Sequence, residues 1–161
     1  MVKRKPTRLS TYDYSQDGIY FITICTKDKA QTLATITNNT LTLSHIGQLT
    51  KTAIEKIPAI HPHASVHNYV IMPNHVHLLL AFESAGLGKI ISSPTELAGG
   101  ACVSTVVKGL KQYVSKASGA STWQKSFHDH VVRSDALYLK IYSYIDENPA
   151  GWQQDCFYTS T

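Results

Sequence analysis

The stretch Met72-Pro73-Asn74-His75-Val76-His77-Leu78-Leu79-Leu80 decides how this chain is expected to fold. In a β-strand successive side chains point to opposite faces, so residues i and i+2 share a face. We therefore expect His75 and His77 on one face of a sheet, and Val76 and Leu78 in the hydrophobic layer behind it. Two imidazoles held in this way can supply two ligands to a metal ion.

Strands are predicted on both sides of this stretch. Gly18 to Thr26 is rich in β-branched and aromatic residues and follows Asp-Gly, which is typical of a buried central strand. Pro73-Asn74 predicts a turn between antiparallel strands, and Asn38-Asn39 predicts a tight hairpin turn. The remaining strands are predicted over 32–36, 40–43, 65–71, 75–82 and, as a short HDHVV strand, within 123–132.

Three helices are predicted between and after these strands. Ser44 is expected to cap a helix that runs to Ile57 and is ended by Pro58. A second helix is predicted over 101–117, after a long loop over 83–100, and a third over 134–147, capped by Ser134. The order of elements predicts an α+β fold: a ferredoxin-like (RRM-like) antiparallel sheet with helices on one face, plus a C-terminal helix.

Composition is that of one domain covering residues 1–161. The 161 residues are 43% hydrophobic, and no apolar run approaches the roughly 20 residues that span a bilayer. The basic N-terminus lacks the apolar segment of a signal peptide, so a cytoplasmic protein is expected. Cys25, Cys102 and Cys156 are odd in number and far apart, which indicates neither a disulfide framework nor a cysteine zinc site.

The net charge of +4 and the pI of about 8.9 are compatible with a polyanionic partner. Residues 1–17 form a basic N-terminal arm, which is either a solvated tail or a phosphate-binding segment. The helix predicted over 101–117 carries lysines on its exposed side, which suit either solvent or DNA. The DNA-binding candidates are Lys3, Arg4, Lys5, Arg8, Lys108, Lys111 and Arg133.

The last predicted helix offers a second set of chemical groups. Tyr144 and Asn148 are four residues apart and therefore lie on one helical face. An amide carbonyl is a suitable ligand for Mg²⁺ or Mn²⁺, and the phenol would lie close to any phosphate bound to that ion. Tyr138 and Tyr142 are nearby competitors, but neither has an amide four residues later.

His61-Pro62-His63 is a second His-x-His pattern. Proline cannot occupy the apolar anchor position of a central strand, so we expect a loop without a metal there.

Four segments together resemble a known family. They are YFITICT (20–26), VIMPNHVHLLL (70–80), FHDHVVR (127–133) and YIDENP (144–149). The combination resembles the REP-associated tyrosine transposases, relatives of the single-strand insertion-sequence transposases in the HUH superfamily. The resemblance extends from about residue 8 to residue 152.

This resemblance implies a ferredoxin-like sheet that carries His-hydrophobic-His and is faced by a helix with one nucleophilic tyrosine. On that pattern His75 and His77 are metal ligands, Val76 packs behind them, and Tyr144 is the nucleophile. Asn148 stands where related transposases place a glutamine that completes the metal site, and it acts directly or through water. The implied cofactor is Mg²⁺ or Mn²⁺.

The implied partner is single-stranded DNA beside palindromic hairpins, which suggests a nucleoid-associated protein. Some relatives are dimers with exchanged active sites, so a homodimer is left open.

Three functions follow as hypotheses. The first is a metal-dependent single-stranded DNA endonuclease and strand transferase with a covalent 5′-phosphotyrosine intermediate. Its general base is not identified by the sequence, and His130 and Asp146 are candidates. The second is a single-stranded nucleic-acid-binding module that stacks bases on Tyr20 or Phe21 without cleavage. The third is a phosphodiesterase with a water nucleophile, which the lack of a carboxylate cluster disfavours.

Overall fold

A four-stranded antiparallel sheet is the centre of the fold. The computed structural model describes residues 18–83 and 103–160. Within these residues the sheet order is β4-β5-β1-β6, and a separate hairpin is formed by β2 and β3. The strands are β1 Gly18–Cys25, β2 Ala34–Thr37, β3 Thr40–Leu43, β4 Ala64–Ile71, β5 His75–Phe82 and β6 His128–Val132.

The helices occur where the ferredoxin-like plan requires them. They are α1 His45–Glu55, α2 Ile57–Ile60, α3 Val103–Ser118 and α4 Asp135–Glu147, with short 3-10 turns at Lys27–Lys29 and Trp152–Gln154. A βαββαβ order with β1 in the interior of an antiparallel sheet is the predicted architecture. The fold class inferred from the sequence is therefore confirmed, including the additional C-terminal helix.

Strand β5 is buried along its whole length because both faces of the sheet are covered. On one face Val76, Leu78 and Leu80 join the large core, to which α1 and α3 contribute their apolar sides. On the other face Leu79 packs with Ile141 and Ile145 of α4. The alternation predicted from the sequence is thus confirmed, and it places His75 and His77 on the α4 face.

Serines cap two helices as predicted. The Ser44 hydroxyl accepts a hydrogen bond from the Gly47 amide at 3.0 Å, and the Ser134 hydroxyl accepts one from Leu137 at 3.2 Å. Each bond satisfies an amide that has no partner within its own helix.

The predicted end of the first helix, at Ile57, is wrong. α1 ends at Glu55, and Pro58 lies in the first turn of the short α2 rather than after a helix. The reason is that proline's missing N–H costs nothing in a first turn, where no intrahelical bond is made.

The predicted turns are confirmed. Asn38 and Asn39 have φ values of 50° and 60°, the left-handed pair that a two-residue hairpin turn needs. Pro73-Asn74 joins β4 to β5. The predicted loop over 83–100 and the start of the second helix lie largely outside the described residues.

Among the described residues, no helix combines the length and the apolar character that crossing a bilayer requires.

Gly47 supports this fold through close packing. A Cβ atom at Gly47 would overlap the backbone carbonyl oxygen of Leu33 and lie 3.2 Å from the Leu43 Cβ. At Gly109, also inside a helix, the nearest atom would be 3.9 Å away. Only the first position therefore requires glycine for steric reasons.

We predict that Gly47→Ala lowers the free energy of unfolding by about 2 kcal/mol, since the backbone must move apart to admit the methyl group. Gly109→Ala is the matched control and should be neutral or stabilising by up to about 1 kcal/mol, because alanine favours the helix. Urea denaturation followed by circular dichroism measures both. Equal stability of the two variants would contradict the packing account.

Candidate active site

The two histidines of β5 lie side by side under α4. Their Nε2 atoms are 3.1 Å apart, and the side chains are 0% and 2% exposed. This proximity follows from the strand alternation, which brings residues i and i+2 to the same face.

Hydrogen bonds orient both rings. The Asn74 Oδ1 atom accepts from His75 Nδ1 at 2.9 Å, and the Asn74 amide is fixed because its nitrogen donates to the Phe157 carbonyl at 2.8 Å. Thr23 Oγ1 lies 2.8 Å from His77 Nδ1 and can accept in the same way. With each Nδ1–H donated outward, both Nε2 lone pairs point at one location, as in histidines that bind a metal.

Asp155 is a third ligand candidate that the sequence reasoning did not predict. Its Oδ2 atom lies 3.9 Å from His75 Nε2, and its side chain is 1% exposed. The ligand atoms of His75, His77 and Asp155 all lie within 4.8 Å of one another, the single such group of three among the described residues. Asp155 lies just after the Trp152–Gln154 turn, with no periodic relation to the histidines, so the sequence carried no signal for it.

Asn148 lies at the C-terminal end of α4 and beside Asp155. Its Nδ2 atom donates to Asp155 Oδ2 at 3.0 Å. Its Oδ1 atom is buried and has no hydrogen-bond partner among the described residues. A buried acceptor without a partner is costly unless a donor or cation completes it.

This set of donors fits a divalent cation. Two imidazole nitrogens and a carboxylate oxygen converge, and the Asn148 amide nitrogen contacts that carboxylate. Such a mixed nitrogen and oxygen set suits several divalent first-row metals. The structure thus supplies two candidates for the third ligand, the Asp155 carboxylate and the predicted Asn148 amide.

Burial keeps both imidazoles neutral. Desolvation lowers the pKa of His75, and the nearby Asp155 carboxylate opposes that effect only in part. Desolvation also lowers the pKa of His77, and the neighbouring His75 lowers it further. Neutral imidazoles are the form that binds metals.

Tyr144 faces the histidine pair from α4. Its hydroxyl oxygen lies 3.5 Å from His77 Nε2, and its ring meets the edge of Phe21 at 6.2 Å between centroids. Ile141 and Ile145 hold the helix against the sheet through Leu79, which fixes the height of Tyr144 above His77. The side chain is 40% exposed, so it is both anchored and accessible.

The competing tyrosines of α4 point elsewhere. The Tyr138 hydroxyl lies 3.1 Å from His67 Nδ1 on β4, and the Tyr142 ring lies beside Tyr138, with 6.0 Å between centroids. Asp146, a candidate base, accepts a hydrogen bond from Asn68 at 2.8 Å. The structure therefore brings Tyr144, and neither of the other two, to the histidines.

The phenol is protonated at rest. Partial burial raises the pKa of Tyr144, and the Asp155 carboxylate raises it further.

Tyr144 also borders a cavity of about 420 Å³, which is lined by Glu147, Asn148, Gly151, Gln154, Asp155 and Cys156.

The predicted DNA-binding cations are dispersed. α3 packs on the face of the sheet opposite Tyr144, so Lys108 and Lys111 lie across the sheet from the site. The Lys111 ammonium group donates to the carbonyls of Gln124 and Ser126, each at 2.8 Å, which gives it a structural role. Arg133 is exposed at the end of β6.

Lys3, Arg4, Lys5 and Arg8 lie outside the described residues. Their contact with DNA remains a prediction.

The second His-x-His pattern lies in the connection between α2 and β4, as predicted. Of the two aromatic residues considered for base stacking, Tyr20 is fully buried in the core, while Phe21 is partly exposed next to His77. The ring of Phe21 stacks on that of His77, with 5.0 Å between centroids.

Comparison with known structures supports the fold, and comparison with known sequences shows the family. A REP-associated tyrosine transposase, whose structure was solved bound to a REP hairpin, matches 88% of this chain and 73% of its own chain with a TM-score of 0.63 and 22% identity. The resemblance inferred from the sequence is thus confirmed for the fold. No model of a protein family matches the chain.

An uncharacterized protein from Haemophilus influenzae strain Rd is 33% identical over a 168-residue alignment that covers 96% of this chain and 93% of the relative. The chain belongs to the same family as that protein.

We predict that the chain binds Mn²⁺ and that His77→Ala reduces the affinity by at least about tenfold, because one nitrogen ligand is lost. Asp155→Asn and Asn148→Ala distinguish the two candidates for the third ligand. The variant that removes the true ligand should bind Mn²⁺ more weakly, and the other variant should bind it as the wild type does. Isothermal titration calorimetry measures the affinities. Asp135→Asn, which changes an exposed carboxylate, is the control. Unchanged affinity in all three site variants would contradict a metal at this position.

Proposed function

We propose that this chain is a metal-dependent single-stranded DNA endonuclease and strand transferase of the transposase type. Tyr144 is the nucleophile, His75 and His77 hold the cation, and Asp155 or Asn148 completes the ligand set. The observation that carries the proposal is the 3.5 Å distance between the Tyr144 oxygen and His77 Nε2 within one chain. No partner subunit is needed to bring these groups together.

The arrangement suits attack on a phosphodiester. His75 and His77 would hold a divalent cation, which would supply positive charge to polarise the scissile phosphate. The Tyr144 oxygen lies next to that location, and its anchored helix limits the distance over which it must move. The Phe21 ring packs beside both Tyr144 and His77 and so holds the two side chains next to each other.

Cleavage and rejoining of the strand require no nucleotide cofactor. The Tyr144 oxygen forms a bond to phosphorus, the bond from phosphorus to the 3′ oxygen breaks, and the phenol proton is released. The 3′ oxygen leaves with a proton from solvent or a nearby acid. A 5′-phosphotyrosine remains, which preserves the phosphodiester energy, so a 3′-hydroxyl can reverse the step and rejoin a strand.

The raised pKa of Tyr144 means that the phenol does not ionise on its own at neutral pH. Substrate binding must therefore assist removal of the proton. Besides burial, the negative charge of Asp155 opposes ionisation of the phenol and raises its pKa. Engagement of that carboxylate by a cation would remove the opposition.

The proposed substrate is single-stranded DNA beside a hairpin. The transposase that shares the fold was solved with a REP hairpin. The positive net charge of this chain is compatible with such a polyanion.

We predict that Tyr144→Phe abolishes covalent capture of hairpin-flanked single-stranded DNA in the presence of Mn²⁺ or Mg²⁺, since the attacking oxygen is gone. Denaturing gel electrophoresis with end-labelled DNA measures the adduct. Tyr142→Phe is a matched control, because it removes a hydroxyl from a similarly exposed tyrosine on the same helix.

Two outcomes would favour other functions. Cleavage by Tyr144→Phe at the wild-type rate indicates a phosphodiesterase with a water nucleophile. DNA binding that is independent of metal and gives no covalent product in wild-type protein indicates a binding module.

We predict that His75→Ala loses cleavage by at least about a hundredfold but keeps hairpin affinity within about twofold, because the proposed cation serves the chemical step and a buried imidazole offers no surface to the hairpin. Single-turnover cleavage and fluorescence anisotropy measure the two properties. Full cleavage activity in this variant would rule out the metal role assigned to the histidine pair.

A further inference from the structure

A second pair of histidines lies on the same sheet face as the first. Antiparallel pairing sets His128 of β6 opposite Thr23 of β1, and Thr23 in turn opposite His77 of β5. His130 is opposite Phe21. Directly opposed residues project to the same face with Cβ atoms about 4.5–5.5 Å apart, so both β6 histidines share the face that carries the proposed active site.

These two imidazoles are accessible. His128 and His130 are exposed, whereas Val131, whose side chain lies on the core side of β6, is buried. Two residues along a strand their side chains are about 7 Å apart. Neither makes a hydrogen bond or ion pair to another described residue.

The other sides of the site are covered. α4 lies over β4 and β5, where Tyr138 contacts His67 and Ile145 packs near Leu79. The segment after α4 covers His75, because the Phe157 ring lies 4.6 Å from it between centroids. Ile19 and Val132 also pack with the α4 cluster, but Phe21, His128 and His130 keep exposed surface on this face. Among the described residues, that surface is one approach to Tyr144, and the 420 Å³ cavity that Tyr144 borders is another.

We propose that His128 and His130 form a binding site for the phosphodiester backbone of single-stranded DNA, which crosses β6 and β1 on its way to Tyr144. This inference rests on the proposed function. A scissile phosphate has a nucleotide on each side, so a strand needs two exits from the site, and the β6 surface and the cavity provide them. Imidazole N–H groups donate to phosphate oxygens, and the partly exposed Phe21 ring offers a stacking surface for a base.

A second metal site is the alternative for a His-x-His pair on a strand. The described residues contain one group of three side chains able to hold a metal, and it does not include His128 or His130. These histidines also lie at an exposed edge strand rather than beneath a helix. Both features favour contact with a polyanion.

The test compares binding of a fluorescein-labelled oligothymidine about twenty nucleotides long, in EDTA, by wild-type chain and by the double variant His128→Ala/His130→Ala. Loss of two hydrogen bonds to phosphate should weaken binding by about tenfold or more. Double replacement by glutamine, which keeps an N–H donor at each position, should recover a large part of the affinity. His45→Ala, which removes an exposed imidazole from α1, should leave it unchanged.

Cleavage separates this proposal from the proposed function. His130 was a general-base candidate from the sequence, and the strand-binding role replaces that assignment. The alanine pair should therefore raise the DNA concentration needed for half-maximal adduct formation, while the rate at saturating DNA stays within about threefold of wild type. Unchanged oligothymidine affinity, or no binding by wild type, would overturn the strand-binding role. Loss of one bound Mn²⁺ in the alanine pair would overturn it in favour of a second metal site. If the wild-type chain forms no adduct, the proposed function is contradicted. The oligothymidine affinities of wild type and the alanine pair still decide whether His128 and His130 bind the strand.

Discussion

The register between β1 and its two neighbours is the constraint on which the whole site depends. It places Thr23 opposite both His77 and His128, so one row of side chains crosses three strands on one face. A shift of one residue would turn His75 and His77 into the core and turn Leu78 and Leu80 toward α4. The buried Val76 and Leu78 make such a shift very unfavourable, and the hydrophobic core thereby fixes the chemistry on the other face.

The segment after α4 depends on that register in turn. Asn74 connects β5 to the segment after α4, since its side chain forms hydrogen bonds with both the His75 ring and the Phe157 carbonyl. The same segment brings Asp155 to the histidines and, through Asn148, ties itself to the end of α4. The candidate metal ligands, the proposed nucleophile Tyr144 and the segment after α4 thus form one connected unit, in which displacement of the segment would change the candidate ligand set.

Sequence reasoning predicted the sheet, the hairpin turn and the helix carrying Tyr144, because strand alternation, turn residues and serine caps are local signals. It also placed His75 and His77 on one face correctly. It missed Asp155 and the orienting role of Thr23, since these depend on strand register and on where an irregular segment folds back. It also gave Lys111 as a DNA-binding candidate on an exposed helix face, whereas the contacts of its ammonium group to loop carbonyls are visible only in the folded structure.

The central claim is that the histidine pair and Tyr144 are two halves of one phosphate-activating site. A crystal structure of the chain with Mn²⁺, measured at the manganese absorption edge, tests it most directly. The account predicts one anomalous peak within bonding distance of His75 Nε2 and His77 Nε2, on the side facing the Tyr144 oxygen. Manganese bound elsewhere, with the two imidazoles still in contact with each other, would contradict the account.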